Sequence, residues 1–337
     1  MQFDAIEVQA YNAANPADAA KVVQKAVREP GQGEVLVQMK YAGVNPSDVF
    51  SLMGVYPGFP KVPGVPGFDG MGVVAKVGPG VTGFSEGQRV TSLGWLTTSQ
   101  GSGSWQQYIT LPQEKLVALP DAVSDEAGAQ FYINPITVVG LLEVAAVQPG
   151  QHLLITAAGS TLGRMLIRAA RAEGIKTIGV VRRPEAVQEL KESTGCDEVV
   201  CSSTEPLADR VKAITGGTGA GSVLDCVGGE LSEQLAAAVR SGGTVWLYGL
   251  MEGLSFKGHG AECLFRDVGY RGFWFFPWLE SKSQEQQQAV VAKTLRLMAD
   301  GTMAPPVGKI FPLKEAAAAI KESQVTGRIG KVLLKCS

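Results

Sequence analysis

A chain of 337 residues is longer than one hydrophobic core usually serves, so two domains are expected and a small disulfide scaffold is excluded. Lysines and arginines number 30 against 32 acids, and the formal charge of -2 gives no electrostatic attraction to nucleic acid or anionic lipid. The 42 glycines follow no period and accompany 45% hydrophobic residues, as in a folded α/β chain with many tight turns rather than collagen or a disordered linker.

The N-terminal stretch MQFDAIEVQAYNAANPADAA has no basic segment followed by an apolar run, and nowhere does an apolar stretch reach the ~18 residues that span a membrane. A soluble protein is expected, cytoplasmic, or from an organellar matrix if a targeting segment has been removed. Cys196, Cys201, Cys226, Cys263 and Cys336 never fall at CxxC spacing, and an odd count fits reduced thiols in a reducing compartment.

From Glu34 to Leu119 short apolar or alternating runs (EVLVQMKYAGV, GMGVVAKVG, QRVTSLGW, WQQYITL) are separated by clusters such as VYPGFPKVPGVPG, a pattern that predicts an antiparallel, barrel-like β domain. After LPDAVSDEAGAQ the texture changes. Asn134 can cap a helix with Pro135 at its first position, and the helix runs through ITVVGLLEVAAV to Gln148-Pro149-Gly150. Strands HLLIT, KTIGVVR, EVV, SVLDCVG and TVWLYG then alternate with helical segments, which predicts a doubly wound parallel α/β domain whose strands are covered on both faces. YRGFWFF is expected as a further strand. A helix follows with Val291, Leu295 and Met298 on one face, and GRIGKVLLK is expected to return as a strand to the first domain.

Between the first strand and helix of the α/β domain lies TAAGSTLG. Gly159 and Gly163 permit close backbone approach, and the helix that begins around Ser160, Thr161 and Leu162 can turn free amides toward a pyrophosphate. The turn departs from GxGxxG at Thr161, and a tight turn for helix packing is the rival account. The second strand ends in Arg182-Arg183, where a cofactor with a free ribose 2′-hydroxyl would meet an acid. Two guanidiniums suit a 2′-phosphate, so NADP(H) is the expected cofactor, the alternative being that they solvate the next helix. Cys226 and Val227, in LDCVGG at the carboxyl edge of the fourth strand, can line the same ligand; strand-end packing explains Asp225 and Cys226 equally well.

GVNPSD (43–48), VPGFDGMGVV, VGPGVTGFSEGQRV, the α/β core and the C-terminal return together resemble the medium-chain dehydrogenase/reductase superfamily over essentially the whole chain. Within it NPSDVFSLMGVYPG, GSGSWQQY, YINPITVVGLL, LDCVGG, YGLM and RGFWFFPW look like the zinc-free mitochondrial-type trans-2-enoyl thioester reductases, with similarity also to quinone oxidoreductases. The resemblance implies a GroES-like β-barrel catalytic domain (1–126 and 277–337) and a Rossmann domain (127–276). It also implies a homodimer through the edge strand near Phe273 and a small-molecule substrate. That substrate would be an enoyl thioester reduced by NADPH; a quinone or enone is the alternative, and a non-catalytic nucleotide-binding protein on the same fold a third reading.

By the same resemblance Tyr56 is the proton donor, and a phenol with a pKa near ~10 is protonated at neutral pH. An apolar anchor for the proline-rich loop is its rival role. Asn45 orients the tyrosine, a water or the nicotinamide amide, unless it only forms the turn before Pro46. Asn134 and Thr137 face the nicotinamide, Tyr248 and Met251 the ribose and phosphates, and Phe273, Trp274 and Phe275 the nicotinamide or acyl channel, with core or dimer-edge packing as the rival for these aromatics. Lys331 closes over the cofactor phosphates or is a solvated surface lysine. No metal is expected: zinc-dependent relatives place ligands where this chain has Asn45 and Gly67-Phe68-Asp69, and its two histidines, His152 and His259, suit a strand start and a loop. Two departures stand out. Gln106-Gln107-Tyr108 replaces a segment where enoyl thioester reductases tend to carry an arginine, and an acid between the second-strand arginines is lost.

Overall fold

A computed structural model describes residues 1–56, 62–95, 103–328 and 330–337. The chain forms two compact units: Met1–Pro135 with Met298–Asp300 and Ala304–Ser337, and Ile136–Leu297 with Gly301–Met303. These units divide the chain differently from the expected 1–126 and 277–337 against 127–276. Residues 127–135 stay with the first unit because the Tyr132 and Ile133 amides bond the Asp69 carboxylate. Residues 277–297 join the second, where Lys282 pairs with Glu143 at 2.7 Å and Lys293 with Glu173 at 2.7 Å.

In the first unit β1 (Gln2–Val8) and β2 (Ala20–Ala26) form an antiparallel pair. The main sheet is built from β3 (Glu34–Gly43), β4 (Gly70–Val77), β5 (Arg89–Ser92), β6 (Tyr108–Pro112) and β7 (Leu116–Ala118), joined late in the chain by β14 (Val307–Pro312) and β15 (Lys331–Lys335). Its order is β14-β15-β3-β4-β5-β7, with β6 also on β3, and every pairing is antiparallel except β14 with β15. The returning strand read from GRIGKVLLK is thus present; Ile329 lies outside the described residues. Val35, Val37, Met39, Val90, Trp95, Trp105 and Leu334 are among the buried side chains of this core. Helix α1 (Pro46–Met53) follows β3 with Pro46 at its first position and stops at Gly54, whose φ of 76° closes the helix in the left-handed region. The short helices α2 (Asp125–Gly128) and α11 (Ala316–Ser323) complete the unit.

The second unit opens with α3 (Asn134–Ala145), then β8 (His152–Ile155), α4 (Thr161–Ala172), β9 (Lys176–Val181), α5 (Ala186–Thr194), β10 (Glu198–Cys201), α6 (Leu207–Ile214), β11 (Ser222–Asp225), α7 (Leu231–Ala238), β12 (Thr244–Leu247), α8 (Gly260–Arg266), β13 (Gly269–Gly272), α9 (Phe275–Glu280) and α10 (Gln284–Ala299). Its strands are all parallel in the order β10-β9-β8-β11-β12-β13, so the winding reverses between β8 and β11. The near-continuous burial of LLI, TIGVV and VLD is what helices on both faces require.

Two local readings are corrected. YRGFWFF is a strand only as far as Gly272; Phe275 already begins α9, because Phe273, Trp278 and Gly140 pack so tightly that a methyl on Gly140 would lie 2.6 Å from the Phe273 ring. In α10 the buried face is Val290, Thr294, Leu297 and Met298, one residue out of step with Val291 and Leu295, since a threonine whose hydroxyl bonds the Val290 carbonyl (2.8 Å) serves as a core position. Among the described residues all five cysteines are unpaired, and no helix is long and apolar enough to cross a membrane.

Candidate active site

In the α/β unit the carboxyl ends of β8 and β11 are tied together. The Thr156 hydroxyl donates to Asp225 Oδ1 (2.8 Å), and the same carboxylate accepts the Val227 amide (2.9 Å), the Gly228 amide (3.3 Å) and the Ser232 hydroxyl (2.7 Å). Asp225 therefore shapes the LDCVGG turn from inside the fold, as strand-end packing requires. Cys226 lies beside it with its thiol 3.7 Å from Met251 Sδ, and burial pushes that thiol up to about 11. Among the described residues the buried Tyr248 hydroxyl has no hydrogen-bond partner, and burial, with the neighbouring Cys226 next in effect, holds it well above the ordinary phenol range.

The dinucleotide turn divides its glycines by role. Ser160 caps α4, its hydroxyl accepting the Gly163 amide at 3.0 Å, which leaves the amides of Thr161 and Leu162 leading the helix. A methyl on Gly163 would lie 2.7 Å from the Ala158 carbonyl, whereas one on Gly159 meets nothing within 4 Å. Gly163 is thus demanded by helix–strand packing, and Gly159 is open on the side from which a phosphate would approach. Gly163→Ala is expected to destabilise the fold by about 1–3 kcal/mol, while Gly159→Val keeps its melting temperature and weakens dinucleotide binding. Thermal melts beside a fluorescence titration of the cofactor check both; equal behaviour of the two variants would contradict the assignment.

Arg182 and Arg183 are exposed at the end of β9; among the described residues the Arg183 side chain makes a 3.7 Å pair with Glu185. Asn134 and Thr137 are buried on α3, Phe273 and Phe275 are buried, and Trp274 is exposed with its ring edge-on to Phe276 at 5.6 Å.

In the β unit Tyr56 stands two residues beyond the Gly54 cap, half-buried, with its ring edge-on to Phe68 at 5.2 Å. Residues 57–61 of the adjoining proline-rich loop lie outside the described residues. Asn45 is fully buried and committed at both ends: its Oδ1 accepts from Lys331 Nζ and its Nδ2 donates to Asp69 Oδ2 at 3.1 Å. Asp48 Oδ2 accepts the Asn45 amide (2.7 Å) and Oδ1 the Phe68 amide (3.0 Å); Asp69 Oδ1 accepts the amides of Tyr132 (2.8 Å) and Ile133 (3.1 Å). Among the described residues no group of three or more histidine, cysteine, aspartate or glutamate side chains is arranged to hold a metal ion.

This cluster corrects the reading of Lys331. At 3% exposure it is neither a surface lysine nor a side chain free to close over phosphates, because its ammonium is fastened to Asn45 within the β unit. Asp48 and Asp69 were given no role from sequence. The signal was there: each acid sits in a Gly- and apolar-rich segment, where a carboxylate must find partners.

Burial, aided by the neighbouring Asp69 charge, raises Asp48 to about 7 against the two backbone amides and Lys331. Burial likewise raises Asp69 to about 6, with Lys331 the strongest opposing influence, and lowers Lys331 to about 8. Both carboxyls bind a proton more tightly folded than unfolded. Their contribution is therefore fully present below the unfolded value near ~4 and is lost as pH rises through about 6 and about 7. Lys331 acts in the opposite sense, its folded value lying below the unfolded one, so its cost is relieved only as pH climbs above about 8. Asp48→Asn is expected to flatten the fall in melting temperature between about pH 5 and 7.5. An unchanged pH profile would count against the ionisation assigned to Asp48.

Two family models match, the alcohol dehydrogenase GroES-like domain over residues 31–121 and the zinc-binding dehydrogenase over residues 161–295. The mitochondrial enoyl-[acyl-carrier-protein] reductase of Caenorhabditis elegans is 32% identical, across 85% of this chain and 82% of that protein. The chain belongs to the medium-chain dehydrogenase/reductase superfamily. Its Arabidopsis thaliana relative of the same description is 29% identical over 94% of this chain and 84% of that protein. The Escherichia coli quinone oxidoreductase complexed with NADPH superposes with a TM-score of 0.85 at 25% identity, covering 98% of this chain and 99% of that one. This member of the superfamily is accordingly an oxidoreductase with a GroES-like and a Rossmann domain that uses a nucleotide cofactor. The architecture expected from the sequence is the one observed.

Proposed function

We propose that this chain reduces the carbon-carbon double bond of trans-2-enoyl thioesters with NADPH. The observation that carries the reading is Tyr56, a half-exposed phenol set just past the α1 cap in a β unit whose zinc-ligand positions read Asn45 and Gly67-Phe68-Asp69. Support comes from relatives named enoyl-[acyl-carrier-protein] reductase at 29–32% identity. The open Gly159 face, the Ser160-capped helix and the orphaned Tyr248 hydroxyl fit a dinucleotide, and the exposed Arg182 and Arg183 fit its 2′-phosphate.

A reduced nicotinamide bound there would supply the hydride for the β-carbon. The chain's own part is to hold the ribose phosphate on two guanidiniums, to point helix amides at the pyrophosphate, and to deliver the Tyr56 hydroxyl proton to the α-carbon. A second reading, reduction of a quinone or simple enone, is favoured by the likeness to an NADPH-bound quinone oxidoreductase and by Gln106-Gln107-Tyr108 in place of an arginine-bearing segment.

The test follows NADPH and NADH oxidation with a crotonyl thioester, an enone and a quinone. Preferred turnover of the thioester with NADPH is expected; efficient quinone reduction with negligible thioester turnover would transfer the assignment to the second reading. A homodimer belongs to the same proposal: β13 is the edge of the parallel sheet, and Leu264, Phe265 and Trp274 are exposed in the same unit. A mass measurement in solution reads it.

A further inference from the structure

The most heavily desolvated charges in the β unit lie in one place, and they join four stretches of chain that are far apart in sequence. Lys331 comes from the start of β15, Asn45 and Asp48 from the start of α1, and Asp69 from the residue before β4; Asp69 in turn holds the amides of Tyr132 and Ile133, next to Asn134 at the start of α3. Every polar contact in the cluster serves a neighbour. Lys331 fixes the Asn45 amide, Asn45 orients Asp69, Asp69 fixes the backbone leading into α3, and Asp48 ties the α1 cap to Phe68, the ring against which Tyr56 rests.

Among the described residues the cluster holds two carboxyls and one ammonium, all buried, so the lysine is its single cation. The charged groups acting on its ammonium are Asp69 and Asp48, which favour the charged form, and the Arg328 guanidinium, which opposes it. Arg328 is itself engaged with the carbonyls of Ser323 and Gly330. Removing the cation leaves a carboxylate facing Asn45 with no counter-charge, and a buried ion in that position neutralises or pulls its surroundings apart.

We propose that Lys331 is the counter-ion and positioning residue of a buried clamp, acting through Asn45 and Asp69 to hold the Tyr56 end of α1 and the Tyr132–Asn134 segment in register. The effect on catalysis rests on the reductase reading above; the counter-ion role does not. Lys331 touches neither substrate nor cofactor in this scheme, so its signature is a loss in kcat with little change in KM, together with a charge-dependent change in stability.

The experiment compares the full chain with Lys331→Met and the double variant Lys331→Met with Asp69→Asn, in melts from pH 5.5 to 8.5 and in steady-state reduction of the best acceptor. Lys331→Met is expected to lose melting temperature more at pH 7.5 than at pH 5.5, because Asp69 is then ionised while the wild-type ammonium that faces it is still charged. The double variant should remove that pH dependence. In both, kcat should fall at least tenfold while KM for NADPH moves less than threefold. A melting difference independent of pH overturns the counter-ion role. Recovery of kcat alongside stability in the double variant, or unchanged kcat in Lys331→Met, overturns the positioning role. If the wild type turns over no acceptor, the reductase reading and the catalytic role fail together, while the melts still decide whether Lys331 is the counter-ion.

Discussion

Replacing Tyr56 by phenylalanine is expected to lower the rate of enoyl thioester reduction by about 10²- to 10⁴-fold, the usual contribution of a positioned general acid. The substitution deletes one oxygen and keeps the ring, so the edge-on contact with Phe68 at 5.2 Å and the Gly54 cap survive, and the melting temperature should stay within a degree or two. Cofactor affinity is likewise expected to hold. The measurement is kcat with a crotonyl thioester for both proteins at neutral pH, beside NADPH titration. The same change should scarcely affect a quinone, whose reduction places protons on oxygens that solvent can reach. Loss on the thioester with indifference on the quinone supports the phenol as carbon acid; a thioester rate within threefold of wild type would remove Tyr56 from the mechanism and leave it as an anchor for its loop.

The second large effect concerns the cofactor. Substituting both Arg182 and Arg183 by alanine is expected to weaken NADPH binding by about 10²- to 10⁴-fold, since each charge-assisted contact to phosphate contributes ~1.5–3 kcal/mol and ~1.4 kcal/mol is tenfold. NADH lacks the 2′-phosphate, so its dissociation constant should move less than threefold. Both side chains are exposed at the end of β9, and among the described residues Arg183 makes a long 3.7 Å pair with Glu185, so little stability is lost with them. Titration of each variant with both dinucleotides separates recognition from general damage. Equal losses for NADPH and NADH would mean that the arginines merely solvate the head of α5.

How much of this was legible in the linear chain depended on the range of the interaction concerned. The parallel order of the α/β unit follows from apolar strands alternating with amphipathic helices, and the Ser160 cap and Gly163 follow from turn chemistry within a few residues. The end of the aromatic strand did not: RGFWFF has strand composition throughout, yet packing of Phe273 and Trp278 on Gly140, more than a hundred residues earlier, turns the chain into α9. The buried face of α10 was missed for a related reason, since a threonine that bonds its own helix looks polar in a pattern and behaves as core.

The candidate site divides along the same line. The glycine turn after a strand and the two arginines at a strand end are local features that adjacent residues were enough to name, whereas Tyr56 was named through the resemblance to enoyl thioester reductases. What Lys331, Asn45, Asp48 and Asp69 do belongs to folding alone. Their partners come from stretches separated by as many as 286 positions, and whether an ammonium near the C-terminus meets solvent, a phosphate or an asparagine depends on which strands pair around it. Charge takes its meaning from its surroundings, and those exist only once β15 has docked against β3.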